Sequence, residues 1–95
     1  MNTVKPSQIK EAVARIQHME ALFDTLQQVF YKDTDFFYTD ALCQEHLSTL
    51  IHYYESGLWL ADYTLDEQGL LPTALKRGVL SQDSVHDFLV SLKKI

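Results

Sequence analysis

The sequence is poor in the residues that crosslink and punctuate chains: its 95 residues include one cysteine, two prolines and three glycines. A single cysteine excludes an intrachain disulfide and the multi-cysteine zinc modules, and such sparing use suits a reducing compartment. No Lys or Arg lies between Lys32 and Lys76. No apolar run exceeds Leu58-Trp59-Leu60-Ala61, too short to cross a bilayer. Met1 to Pro6 has no apolar core of the secretory kind, so a cytoplasmic protein is expected. No two of the four histidines, His18, His46, His52 and His86, are four apart, so the helical zinc pair is missing. Glycine-rich phosphate loops, nucleophile elbows, and kinase and dinucleotide fingerprints are also missing.

What remains is ordinary for a folded chain. Hydrophobic residues make up 46% and charged residues 22%, which argues against disorder. The length fits one domain over residues 1–95. The net charge of −5 is unevenly spread: residues 1–34 are neutral, residues 35–75 carry −7 and residues 76–95 carry +2. A phosphate backbone or an anionic membrane would be repelled by that middle, so neither nucleic acid nor membrane is an expected partner.

Hydrophobic spacing predicts an all-α fold. Ile9, Ile16, Phe23 and Phe30 recur every seven residues, with Ala12, Met19 and Leu26 three after the first three. This predicts a helix from about Ser7 to Tyr31, started by Pro6 or capped by Ser7. Val13, Leu22 and Val29 widen the stripe beyond a coiled-coil seam. A polar break at Lys32–Asp35 precedes a second helix to about Glu55, with Cys43, Leu47, Leu50, Ile51 and Tyr54 on one face. Phe36-Phe37-Tyr38 cannot all face one core, so at least one is expected on the surface. Gly57 is read as a stop. A short helix from about Leu58 to Gln68 should bury Leu58, Ala61 and Leu65 and end at Gly69. Pro72 opens a turn through Lys76-Arg77, closed by a left-handed Gly78. Ser81 caps the last helix, where Leu80 packs on Val85 and where Val85, Phe88, Leu89 and Leu92 face inward. Lys93 and Lys94 suit its C-terminal dipole. The expected architecture is a small bundle: two long antiparallel helices, a short helix, a Pro-initiated turn and a C-terminal helix.

The chemistry-bearing residues cluster in the third quarter of the chain. Trp59, Asp62 and Asp66 share one helical face, with Glu67 beside them. Asp62 and Asp66 could hold a hard cation or act as acid and base. The plain structural alternative pairs them with Arg77 and Lys76 or with backbone N–H groups near Gly69–Pro72, and it is favoured because ion pairs are common outside active sites. A calcium loop is excluded: counting from Asp62, the sixth and twelfth positions are Glu67 and Thr73. Arg77 beside Gly78 could grip an anion, but without a glycine-rich cradle it reads better as a fastener for the acidic face. Glu20 and Asp24, four apart, are a like-charge pair open to an outside cation or simply solvated. Trp59 is balanced between a partner anchor and a core cap. Cys43 reads as a small core residue.

The stretch Trp59-x-x-Asp62-Tyr63-x-x-Asp66-Glu67-x-Gly69-x-x-Pro72-x-x-Leu75-Lys76-Arg77-Gly78-Val79-Leu80-Ser81-x-Asp83 resembles a family of small bacterial proteins, the domain of unknown function 4298. Arg15-Ile16 followed by Met19-Glu20 is similar to that family's N-terminal signature. The resemblance implies a short, helical, bacterial and cytoplasmic protein. It brings no catalytic residue with it. No cofactor or metal is expected. Two functions stand side by side: a non-enzymatic protein-interaction or regulatory module, self-association included, and a small metal-binding protein or hydrolase on Asp62, Asp66 and Glu67. The candidate ligand or partner site is Trp59, Asp62, Asp66, Glu67 and Arg77.

Overall fold

The computed structural model of the chain describes residues 4–92. Among them five α-helices and one 3-10 turn occur and no strand does, so the all-α class holds. Helix α1 (Pro6–Lys32) is 27 residues long and runs the length of the molecule, about 40 Å at helical rise. Pro6 occupies its first position, and the residue before it, Lys5, takes the capping place: the Lys5 N–H donates to Gln8 Oε1 at 2.8 Å. The inward stripe is the expected one, with Ala12, Ile16, Met19, Leu22, Phe23 and Leu26 buried.

The second long helix is divided. Helix α2 (Thr34–Thr39) and helix α3 (Ala41–Glu55) meet at Asp40, whose backbone is extended. Two aspartates seven apart set this pattern. Asp33 accepts from the Phe36 N–H and Asp40 from the Cys43 N–H, each at 3.0 Å, so each starts its own helix. The break turns Phe37 fully inward while Phe36 and Tyr38 stay half-exposed. Helix α3 then runs back along α1 and buries Cys43, Leu47, Leu50 and Tyr53. The core face is thus centred on Tyr53, with Ile51 and Tyr54 only flanking it.

Gly57, at φ +95°, turns the chain from α3 into helix α4 (Leu58–Glu67). At the other end of α4, Gly69 has φ +71°; its N–H bonds to Asp66 O at 3.0 Å and that of Leu70 to Leu65 O at 3.1 Å. These two bonds make a Schellman stop. The inward face of α4 is turned from the expected one to its neighbour: Leu58, Ala61 and Leu65 lie outward or at the margin, while Trp59 and Asp62 are buried. The cause is polar and is described below. Pro72 does begin a turn, but it closes at Leu75, whose N–H reaches Pro72 O at 3.2 Å.

Gly78 corrects another expectation. It is not left-handed; it opens the 3-10 turn Gly78–Leu80. Its missing side chain serves proximity instead. A Cβ there would sit 2.9 Å from Glu20 Oε1, and the adjacent Val79 N–H donates to Glu20 Oε2 at 2.6 Å. Glu20 therefore ties α1 to the 3-10 turn, a role its spacing from Asp24 did not suggest. Helix α5 (Gln82–Ser91) follows, capped by Ser81, which accepts from the Ser84 N–H. Phe88 of α5 meets Phe23, Phe30 and Phe37 edge-on, at centroid distances of 5.6, 5.8 and 6.4 Å, closing the bundle. Lys93 and Lys94 lie outside the described residues.

Gly78→Ala is expected to push Glu20 aside and break its bond to Val79, a charge-assisted bond worth about 1.5–3 kcal/mol. In a Glu20→Ala background the same glycine substitution should cost only a small fraction of that. Urea unfolding of the four proteins of this cycle checks the coupling, and purely additive losses would contradict the contact.

Candidate functional site

The site begins with a buried acid. Asp62 is 0% exposed, the one charged residue among the buried set. An ionised carboxylate in such a place must be paired and hydrogen-bonded. Three donors meet it. Arg15 Nε reaches Oδ2 at 2.9 Å and Arg15 Nη2 reaches Oδ1, a two-pronged grip from α1. The Tyr53 hydroxyl of α3 donates to Oδ2 at 2.7 Å. Burial and then this bond push the Tyr53 phenol far above its ordinary pKa, so it stays a donor. The bond to Asp62 likewise raises the Arg15 pKa, against the cost of partial burial. These contacts explain the orientation of α4: the acid faces inward because its counter-charge waits there.

The plain expectation pairs Asp62 and Asp66 with Arg77 and Lys76 or with backbone N–H groups near Gly69–Pro72. Arg77 takes Asp66 alone, through Nη1 to Oδ1, and turns its other donors to the carbonyls of Leu75, at 3.2 Å, and Pro72. One guanidinium thus ties the end of α4 to the irregular segment 70–77. Lys76 makes no ion pair among the described residues.

Trp59 is a core cap. It is 6% exposed, stacks on Tyr63 at 5.1 Å and 16°, and meets Tyr54 edge-on at 5.3 Å. Its indole Nε1 donates to Val79 O at 2.8 Å. Val79 is therefore held by both peptide groups, N–H by Glu20 and C=O by Trp59. Glu67 is exposed, and its nearby carboxylate raises the pKa of the Tyr63 phenol. Trp59, Asp62, Asp66 and Arg77 lie along one seam of the fold, then, with Glu67 at its solvent edge.

Three residues of this seam were not singled out by pattern: Tyr53, Glu20 as a fastener, and Arg15 as the counter-ion. Arg15 and Glu20 each stand next to a stripe residue, Ile16 and Met19. From such flanking positions a long side chain reaches over the core edge. Cys43 is buried, and burial pushes its thiol pKa up, with Asp40 adding to the effect. Among the described residues, no group of three or more His, Cys, Asp or Glu side chains is placed to hold a metal ion. A groove of about 280 Å³ is lined in part by Glu11, Arg15, Ala61, Asp62 and Leu65. It meets the exposed edge of Arg15, while the Asp62 carboxylate itself is covered.

The family model described as Domain of unknown function (DUF4298) matches residues 16–95. The chain belongs to the DUF4298 family. No curated protein and no solved structure matches it. The DUF4298 match takes in every fastener described above except Arg15, which stands one residue before it.

Arg15→Met would leave Asp62 as a buried charge with one donor, and is expected to cost about 3 kcal/mol. Arg15→Met with Asp62→Asn should recover part of the loss, because the amide carries no charge. Equal losses in chemical denaturation would reject the pairing. Tyr53 gives a pH signature. Its folded pKa is raised above the ordinary 10.0, so its stabilising effect is complete below pH 10 and is lost as pH rises beyond it. Tyr53→Phe should therefore unfold with a shallower alkaline limb than the parent in thermal melts above pH 10. Parallel limbs would contradict this.

Proposed function

We propose that this DUF4298 protein is a non-enzymatic protein-interaction module of the bacterial cytoplasm. The reading rests on how the chain divides its side chains. The polar groups of the Trp59–Arg77 seam are spent internally: three donors fill Asp62, Arg77 takes Asp66, and Val79 occupies both Glu20 and Trp59. Large apolar groups are meanwhile left outside at the elbow where α1 turns through α2 into α3. Tyr31 is 69% exposed, Leu42 58%, Phe36 50% and Tyr38 45%. Leu58, Leu60, Leu70 and Val90 are exposed elsewhere, but the three aromatics among the exposed large apolar side chains all stand at the elbow, and aromatic surface of this kind marks contact with another protein.

The competing reading, a small metal-binding protein or hydrolase on Asp62, Asp66 and Glu67, has less behind it. Asp62 is fully buried and already bound by three donors, and Asp66 is already neutralised by Arg77. A general acid or a hard-cation ligand needs a free oxygen facing a substrate or an ion.

A photoreactive amino acid placed at Tyr38 in the native cell should give a discrete crosslinked adduct, and one placed at Thr49, exposed on α3 away from the elbow, should not. Equal yields at the two positions, or none at either, would overturn the elbow as the contact surface.

A further inference from the structure

We propose that the elbow binds the elbow of a second copy of this chain, as a two-fold symmetric dimer. The proposal deepens the interaction-module reading, on which it rests, by naming the partner. A two-fold interface must be complementary to itself, so one patch has to carry knob and hole and both signs of charge. The elbow has all four. Between the last turn of α1 and α2 lies a groove of about 290 Å³ lined by Val29, Lys32, Asp33 and Phe36. Phe36, half outside the fold, is the knob. Its neighbour Phe37 packs edge-on against Phe30 and Phe88, so the knob stands on a rigid base.

Charge decides between a second copy and a different partner. Lys32 is the sole Lys or Arg between Arg15 and Lys76. It makes no ion pair among the described residues. Exposed Asp33 and Asp35 stand beside it in sequence. In a two-fold pairing, Lys32 of each copy meets the aspartates of the other, and each Phe36 enters the other's groove beside Val29. The remaining exposed charges of α3 and α4, Glu45, Glu55 and Glu67, are all acidic. Those faces would repel a second copy. A strongly basic partner would be drawn to them rather than to the elbow, where Lys32 stands. The elbow, where Lys32 adjoins the start of the acidic middle, is where like meets like with least opposition.

The test uses the full chain in size exclusion with light scattering, from micromolar to millimolar concentration. The mass should climb toward twice the chain's 11.0 kDa. Phe36→Ser should remain at the mass of one chain throughout. Lys32→Glu should weaken dimerisation at least tenfold, and adding Asp35→Lys should restore it by reversing both charges at once. All three positions are exposed, and thermal melts confirm that each variant is folded. A parent chain that stays monomeric at every concentration overturns the proposal. So does a dimer indifferent to Phe36→Ser and Lys32→Glu, and a charge-reversed variant that stays monomeric. A monomeric chain whose Tyr38 crosslink in cells traps a different protein would sink self-pairing and leave the interaction-module reading standing.

Discussion

A carboxylate sealed from water has to be neutralised where it lies, and Asp62 imposes that demand on three helices at once. Arg15 comes from α1, Tyr53 from α3 and the acid from α4. None of the three elements can rotate or slide without stranding a charge or a hydroxyl. The same demand turns α4 from its expected face. Its aliphatic residues Leu58 and Leu60 are turned outward so that Asp62 can face in. Trp59 is buried on the same side as the acid, so apolar burial and the pairing of Asp62 together offset the exposed leucines.

The segment between α4 and α5 shows how irregular chain can be ordered without a ladder of backbone bonds. Residues 70–77 contain one closed turn, and side chains supply the rest. Arg77 gathers the carbonyls of Leu75 and Pro72 and anchors them to Asp66. Glu20 and Trp59 hold Val79 from opposite sides. Gly78 is required by the closeness of Glu20. Trp59, Asp62, Asp66, Arg77 and Gly78 of the Trp59–Ser81 motif therefore serve to fasten the fold, which separates this seam from the apolar elbow.

Much of the fold was legible in the sequence. The seven-residue recurrence of Ile9, Ile16, Phe23 and Phe30 located α1, and Ser81 with Val85, Phe88 and Leu89 located α5, because both helices bury an apolar stripe and nothing else. The division at Asp40 was missed, since a capping aspartate inside a helical pattern looks like a surface residue until the backbone is seen to change direction. The orientation of α4 was misread for a deeper reason. Periodicity weighs residues by hydrophobicity, and it has no means of showing that an arginine 47 positions earlier will make an aspartate fit for burial. Trp59, Asp62, Asp66 and Arg77 could be recognised as a group, but the partner of Asp62 could not, because ion pairing across helices leaves no local spacing.

The two-sided grip on Val79 also has a consequence in time. Its N–H is closed by a residue of α1 and its C=O by a residue of α4, so the peptide is fully satisfied only after both helices are in place. The 3-10 turn should then be among the last parts to dock and among the first to release, taking the approach to α5 with it. Hydrogen exchange at the Val79 amide would follow that local opening, so that one proton registers whether α1 and α4 are correctly assembled.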